Sequence, residues 1–163
     1  MSELPQPAPG TAPIGRWLLT VVPVGWGFVA GYGLRSTTNT LVPSSLLFSE
    51  DVLPAGDKLD PYVQAQNKML AQTYPMMQIA GPADAQVPGA DHAQLLILKH
   101  PATGGGDVFQ IQTYALATRW IGIVTLTATP QEIAAARSAM NQVIAGLHIL
   151  PEAAELPPKE ASP

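Results

Sequence analysis

Three histidines, a triple glycine and a few acidic loops are the residues of this chain whose types could support chemistry. His92, His100 and His148 lie far apart, and no His-x-His or His-Glu-x-x-His spacing links them. A metal or general-base site needs such groups to converge, so each histidine reads as a surface or half-buried structural residue. Gly104-Gly105-Gly106 is followed by Asp107, not by the Lys-Ser/Thr pair that opens a phosphate-binding helix. It reads as a hairpin turn. Glu50-Asp51, Asp57 and Asp60 lack calcium-loop or Glu-x-x-His spacing and read as solvated turns and a helix cap. No Gly-x-Ser-x-Gly elbow occurs. With no cysteine, the chain has no thiolate nucleophile, disulfide or thiolate metal site. Nothing here nominates an enzyme, a cofactor or a metal, so binding is the expected mode of action.

The composition agrees with that expectation. The chain has 163 residues, a length typical of one domain, and 47% are hydrophobic. Charged residues are 12%, against about 25% in ordinary globular proteins. A surface so poor in charge is covered by Gln, Thr, Ser and Ala, or leaves apolar area open for a partner. The net charge is −4 and the eight Lys and Arg are scattered, which argues against nucleic-acid binding. Residues 17–33 are apolar, but Pro23 and four glycines interrupt them. They also fall short of the ~20 residues of a spanning helix. Residues 1–15 hold four prolines and no Lys or Arg, unlike a signal peptide's charged start. No stable membrane insertion and a cytoplasmic location are expected.

The elements that must position any site follow from periodicity. Residues 1–13 and 151–163 are rich in proline and read as disordered ends around one domain, residues 14–150. Residues 17–33 read as strand, turn at Pro23-Val24-Gly25, and strand. Leu46-Leu47-Phe48 reads as a short buried strand. A helix is predicted from Asp60-Pro61, with Asp60 as cap and an apolar stripe of Tyr62, Val63, Met69 and Leu70 into which Gln66 is set. An irregular strand over 79–89, a strand over 94–99, and a hairpin of strands 108–116 and 121–129 follow. Thr129-Pro130-Gln131-Glu132 has the form of a capping box before a second helix, whose stripe is Ile133, Ala136, Met140, Val143, Ile144 and Leu147. The order predicts an α+β fold with an antiparallel sheet and flanking helices.

One strand stands out. Period two puts Val108, Gln110, Gln112 and Tyr114 on one face, with Phe109, Ile111, Thr113 and Ala115 on the other. If a helix covers the second face, the first is free and shows amides among apolar groups. An amide both donates and accepts, so it can satisfy polar atoms within an otherwise dry contact.

Residues 45–150 resemble the DcrB-related, Mog1/PsbP-like proteins, and in particular the Eag chaperones of type VI secretion. The resemblance is carried by Val22-Pro23 with Gly25-Trp26 and by residues 45–51 (SLLFSED). It continues through Leu59-Asp60-Pro61-Tyr62-Val63 with Gln66, Tyr74-Pro75, residues 107–114 (DVFQIQTY) and residues 126–130 (LTATP). It implies a cytoplasmic homodimer without cofactor that binds N-terminal hydrophobic, transmembrane-like segments of PAAR- or Rhs-type effectors and shields them before export. By position, Gln66 and Gln112 match the family's client-binding glutamines. Leu47 and Val108 match apolar contacts, Tyr74 a further one, and Tyr32 and Leu34 an early strand. Gln110 and Tyr114 share the face of Gln112. The chain departs from the family at Glu50, where an Arg is common, and at residues 95–99, where an aromatic, Arg-rich strand is usual. Two other readings stand beside the chaperone: an envelope-associated accessory protein of the same fold, and a small ligand-binding enzyme.

Overall fold

The computed structural model describes residues 12–29, 33–37 and 43–151. In chain order these form β1 (Ala12–Ile14), β2 (Trp17–Leu19), β3 (Trp26–Val29), β4 (Gly33–Ser36), β5 (Ser45–Val52), α1 (Leu59–Thr73), β6 (Gln78–Ala85), β7 (His92–Pro101), β8 (Asp107–Ala117), β9 (Trp120–Ala128), α2 (Ile133–Ala145) and β10 (Leu147–Ile149). A seven-stranded sheet has the order β3-β4-β5-β9-β8-β7-β6, and a small one the order β1-β2-β10. Every pairing is antiparallel. The α+β architecture is therefore the one predicted.

The strongest alternating segments pair in the centre, where β8 lies between β7 and β9. Gly104, Gly105 and Gly106 all have positive φ and carry the turn from β7 to β8, a conformation nearly free of cost only for glycine. Edge strand β6 is bulged between Ala80 and Ala83, where Pro82 cannot donate to a ladder. Such an edge resists pairing with another chain.

Register assigns the faces, because residues directly opposite in a ladder point the same way. One face of the large sheet carries Leu46 and Phe48 of β5, Ile111 and Ala115 of β8, and Val124, Leu126 and Ala128 of β9. These join Ala136, Met140 and Val143 of α2 and Trp17, Leu19 and Leu147 of the small sheet in the main core. The other face carries Leu96 and Leu98 of β7, Tyr114 of β8 and Ile121 of β9, which pack with Leu59 and Val63 of α1 in a smaller core. The two helices sit diagonally. Helix α2 lies over β9 on the first face, and α1 lies over β6 and β7 on the second.

Several local expectations need correction. The predicted strands within 17–33 form, with the Trp26 N–H donating to the Pro23 carbonyl across the turn, but β2 and β3 belong to different sheets. The first strand begins at Ala12, inside the segment expected as an arm. The short strand at 46–48 runs from Ser45 to Val52, and Leu47 is half exposed because it faces away from the main core. Asp60 is not the cap of α1. The cap position is Lys58, which makes no side-chain cap bond, and Asp60 sits in the first turn, where a carboxylate favours the helix dipole. The capping box does not form either: α2 starts at Ile133, and the Glu132 carboxylate accepts from the Ser44 hydroxyl at 3.0 Å. The Thr129 carbonyl instead accepts from the Glu132 and Ile133 N–H groups. Met69, placed in the α1 stripe, is 52% exposed.

Candidate binding face

Cross-strand rows build the face that carries Gln112. In one row, Leu96, Gln112, Thr125, Leu47, Gly33 and Val29 lie side by side across β7, β8, β9, β5, β4 and β3. In the next, Leu98, Gln110, Thr127, Ser45, Arg35 and Gly27 do the same. Strands are about 4.8 Å apart, so each row spans some 24 Å. Leu96 and Leu98 are fully buried beneath α1. Beyond them the rows open: Gln110, Gln112, Thr125, Thr127 and Ser45 are half-buried, Arg35 is exposed, and Leu47 is 49% exposed.

The face expected to be free is thus covered over the half where α1 lies and open over the half around β9 and β5. The open half is less apolar than expected. Its side chains are amides, hydroxyls and the Arg35 guanidinium, with exposed Leu47 and half-buried Val29 as apolar groups. Gly27, half-buried, lacks a side chain and lets a partner's atoms approach the backbone, whereas Gly33 is buried, with the Leu46 carbonyl and the Leu47 side chain where a Cβ would stand. The threonines, Ser45 and Arg35 were missed in the sequence because only the ladder register shows that they share rows with the glutamines.

Helix α1 forms one wall. Its Tyr62 ring meets Tyr114 edge-on at 6.1 Å between centroids, and its hydroxyl donates to Asp51 at 2.7 Å. The Tyr114 hydroxyl donates to the Gln112 carbonyl oxygen at 2.5 Å. That bond fixes the amide orientation and leaves the Gln112 NH₂ group as its remaining donor. Gln66, half-buried, is one turn on from Tyr62 and on the same side of α1. Gln110 donates to Thr127 at 3.3 Å.

The other predicted site residues divide. Val108 shares the face but is only 7% exposed, and Tyr114 is only 3% exposed under α1. Tyr114 therefore supports the site without offering surface. Leu34 must be removed from it: paired with Leu46, it points into the main core on the opposite face and is fully buried. Tyr74 is 54% exposed, but at the C-cap of α1, which leads into edge strand β6, so it stands apart from Leu47. Tyr32 lies outside the described residues.

Burial, then the bond to Asp51 and its charge, then Tyr114, raise the Tyr62 pKa. Burial pushes Tyr114 up to about 12. Tyrosines in the unfolded chain ionise near pH 10. Above that pH the unfolded state has lost protons that the folded state still holds, so stability falls as pH rises. We expect the urea midpoint to be flat from pH 8 to 9.5 and to drop steadily between pH 10 and 12. The drop should be smaller in Tyr62→Phe. A midpoint independent of pH over that range would contradict the packing of Tyr62 on buried Tyr114.

Among the described residues no three His, Asp or Glu side chains converge as a metal site. The one histidine drawn into a cluster is His92, with Nδ1 at 3.4 Å from Asp60 and Nε2 at 3.5 Å from Asp84. It ties the start of α1 to β6 at the surface, where such contacts contribute little. No described helix is long and apolar enough to cross a membrane.

Fold and face together define the chain as an α+β protein with a seven-stranded antiparallel sheet and one helix over half of each sheet face. It matches no family model and no curated protein in sequence. Among solved structures it is similar to LpqN of Mycobacterium tuberculosis, a protein involved in cell envelope biogenesis. The TM-score is 0.64 at 17% identity, over 80% of this chain and 82% of that one. It is also similar to PA94 of Pseudomonas aeruginosa, a protein of unknown function, with TM-score 0.61 and 19% identity over 82% and 90% of the two chains. Cyanobacterial PsbP from Synechocystis sp. PCC 6803 is more distant, with TM-score 0.49 and 12% identity over 82% and 86%. At these identities the likeness concerns fold.

Proposed function

We propose that the chain is a cytoplasmic chaperone or adaptor that holds a hydrophobic, transmembrane-like segment of a PAAR- or Rhs-type secretion effector on the open half of the β9–β5 face. The observation that supports this is the row Gln112, Thr125, Leu47, which sets an amide, a hydroxyl and an exposed apolar side chain next to one another. An apolar helix that carries Ser, Thr or exposed carbonyls needs such a mixture. Leu47 and the walls take apolar area from water, and the Gln112 and Gln66 amides meet polar atoms that would otherwise be buried without a partner. The open strip is narrower than a whole sheet face, which suits one helix of about 10 Å diameter. Binding of this kind consumes no nucleotide.

The test is co-expression with the first apolar segment of a PAAR-domain effector, followed by co-purification and titration with the corresponding peptide. Leu47→Asp combined with Gln112→Ala should weaken capture at least tenfold, about 1.4 kcal/mol, and should lower the melting temperature by only a few degrees, because Leu47 is half exposed while loss of Gln112 leaves the Tyr114 hydroxyl without its acceptor. Val108 is unsuitable for such a test, because a charge at this buried position would act on folding. Equal capture by the double variant would remove the face from consideration. The fold shared with LpqN supports a second reading, an envelope-associated binding protein, for which capture of a secretion effector would fail altogether.

A further inference from the structure

The opposite face of the sheet holds a second concavity that the proposed client site does not use. Because α2 lies over β9, the β7 and β8 half of that face is left beside it as a cleft of about 750 Å³. This lies within the usual range of small-molecule sites, roughly 300–1,000 Å³. Its floor and walls are Leu95, Ile111, Met140 and Ile144, and Arg137 stands on α2 at its edge; Asp91 and His92 also line it, but the Asp91 carboxylate accepts from the Thr118 N–H and the His92 ring lies against Asp60 and Asp84. Two of its polar groups bear on what it could hold. Thr113 is 3% exposed and lines the floor, yet its hydroxyl bonds to no described residue. Arg137, exposed on α2, forms no ion pair among the described residues; Arg35, Lys58 and Lys68 form none either, but Arg137 is the cation of this group that lines the cleft.

We infer that this cleft binds an amphiphile with an apolar chain and a single carboxylate: the chain lies along Leu95, Ile111 and Ile144, and the carboxylate meets Arg137. A guanidinium recognises a carboxylate through two parallel hydrogen bonds, and an apolar trough with one unpaired cation at its rim suits a ligand charged at one end. The chain's net charge of −4 gives an anion no general attraction, so the affinity must come from this local arrangement. Thr113 offers a hydroxyl to an oxygen near the head group or to a bound water.

The full chain would be titrated by calorimetry with octanoate, decanoate and dodecanoate below their micellar concentrations, and with 1-decanol and decyltrimethylammonium. Affinity should rise about three- to fourfold per added methylene. Decanoate should exceed the cation by more than tenfold. Arg137→Gln, a change at an exposed side chain, should weaken decanoate about tenfold and leave decanol unaffected. Ile144→Trp should block all three carboxylates by filling the trough. If that variant does not fold by circular dichroism, the Arg137→Gln comparison decides alone. No saturable binding of dodecanoate, equal binding of the cation, or unchanged affinity in Arg137→Gln would each overturn the assignment. Because the cleft and the client face lie on opposite sides of the sheet, Leu47→Asp with Gln112→Ala should leave decanoate binding intact, so either site can fail without the other.

Discussion

Gly122→Ala is expected to lower the stability of the folded chain by about 3 kcal/mol, at the upper end of overpacking costs. Gly122 lies on β9 between Ala115 and Glu50, facing the main core. A Cβ there would run into the indole rings of both Trp17 and Trp120. The two rings meet edge-on at 4.9 Å between centroids, with Trp17 fully buried and the Arg16 guanidinium 5.1 Å from the centre of Trp120. Neither indole has room to yield. Trp17 belongs to β2, held between β1 and β10, and the Arg16 Nε–H donates to the Leu150 carbonyl at 3.0 Å. The matched control is Gly27→Ala. It is the same change in another strand of the large sheet, where the nearest atom to an added Cβ is a Thr37 methyl at 3.8 Å. That variant should stay within about 0.5 kcal/mol of the parent. Urea midpoints of the two variants should therefore separate widely, and the tryptophan fluorescence of the first should shift even before unfolding. Equal midpoints would mean that the small sheet is not clamped onto β9.

The contrast between these glycines shows what could be read in the sequence. Both look like strand-breaking residues in an apolar run, and nothing local distinguishes them. What distinguishes Gly122 is Trp17, more than a hundred positions earlier. Contacts within a hairpin were legible: Val108, Gln110, Gln112 and Tyr114 on one face and Ile111, Thr113 and Ala115 on the other is the alternation that the β8 ladder shows. The stripe of α2 was legible for the same reason, with Ala136, Met140 and Val143 buried. Non-local choices were not. The pairing of β2 with β10 joins the two ends of the domain, and no periodicity announces it. The helix starts were misread because local side-chain caps compete with tertiary bonds. Glu132 bonds to Ser44, 88 residues away, and Asp60 approaches His92. For the binding face, period two identified the amides but could not say that α1 would settle over their β7 neighbours.

That position of α1 leads to the other large effect, expected for Val63→Asp. Val63 is fully buried in the apolar cluster that also holds Leu96, Leu98, Tyr114 and Ile121. An unpaired carboxylate there would cost about 3 kcal/mol or more if α1 stayed docked. The helix has little to oppose that cost. Only Leu59 and Val63 of its residues are buried, and its cap makes no side-chain bond. Its polar ties are surface contacts, Tyr62 to Asp51 and Asp60 to His92. The main core, by contrast, is built without α1, from α2, the small sheet and the other side of the large sheet. Release of α1 alone is therefore less costly than global unfolding, so the variant should lose the helix and keep the sheet. Hydrogen exchange should show the amides of residues 59–73 unprotected while those of β8 and β9 remain slow. Dye binding to exposed apolar surface should increase as Leu96 and Leu98 are uncovered. If β8 and β9 lose protection together with α1, the helix is an integral part of one cooperative unit. The open strip beside it would then be a fixed groove, because its wall could not move without unfolding the domain.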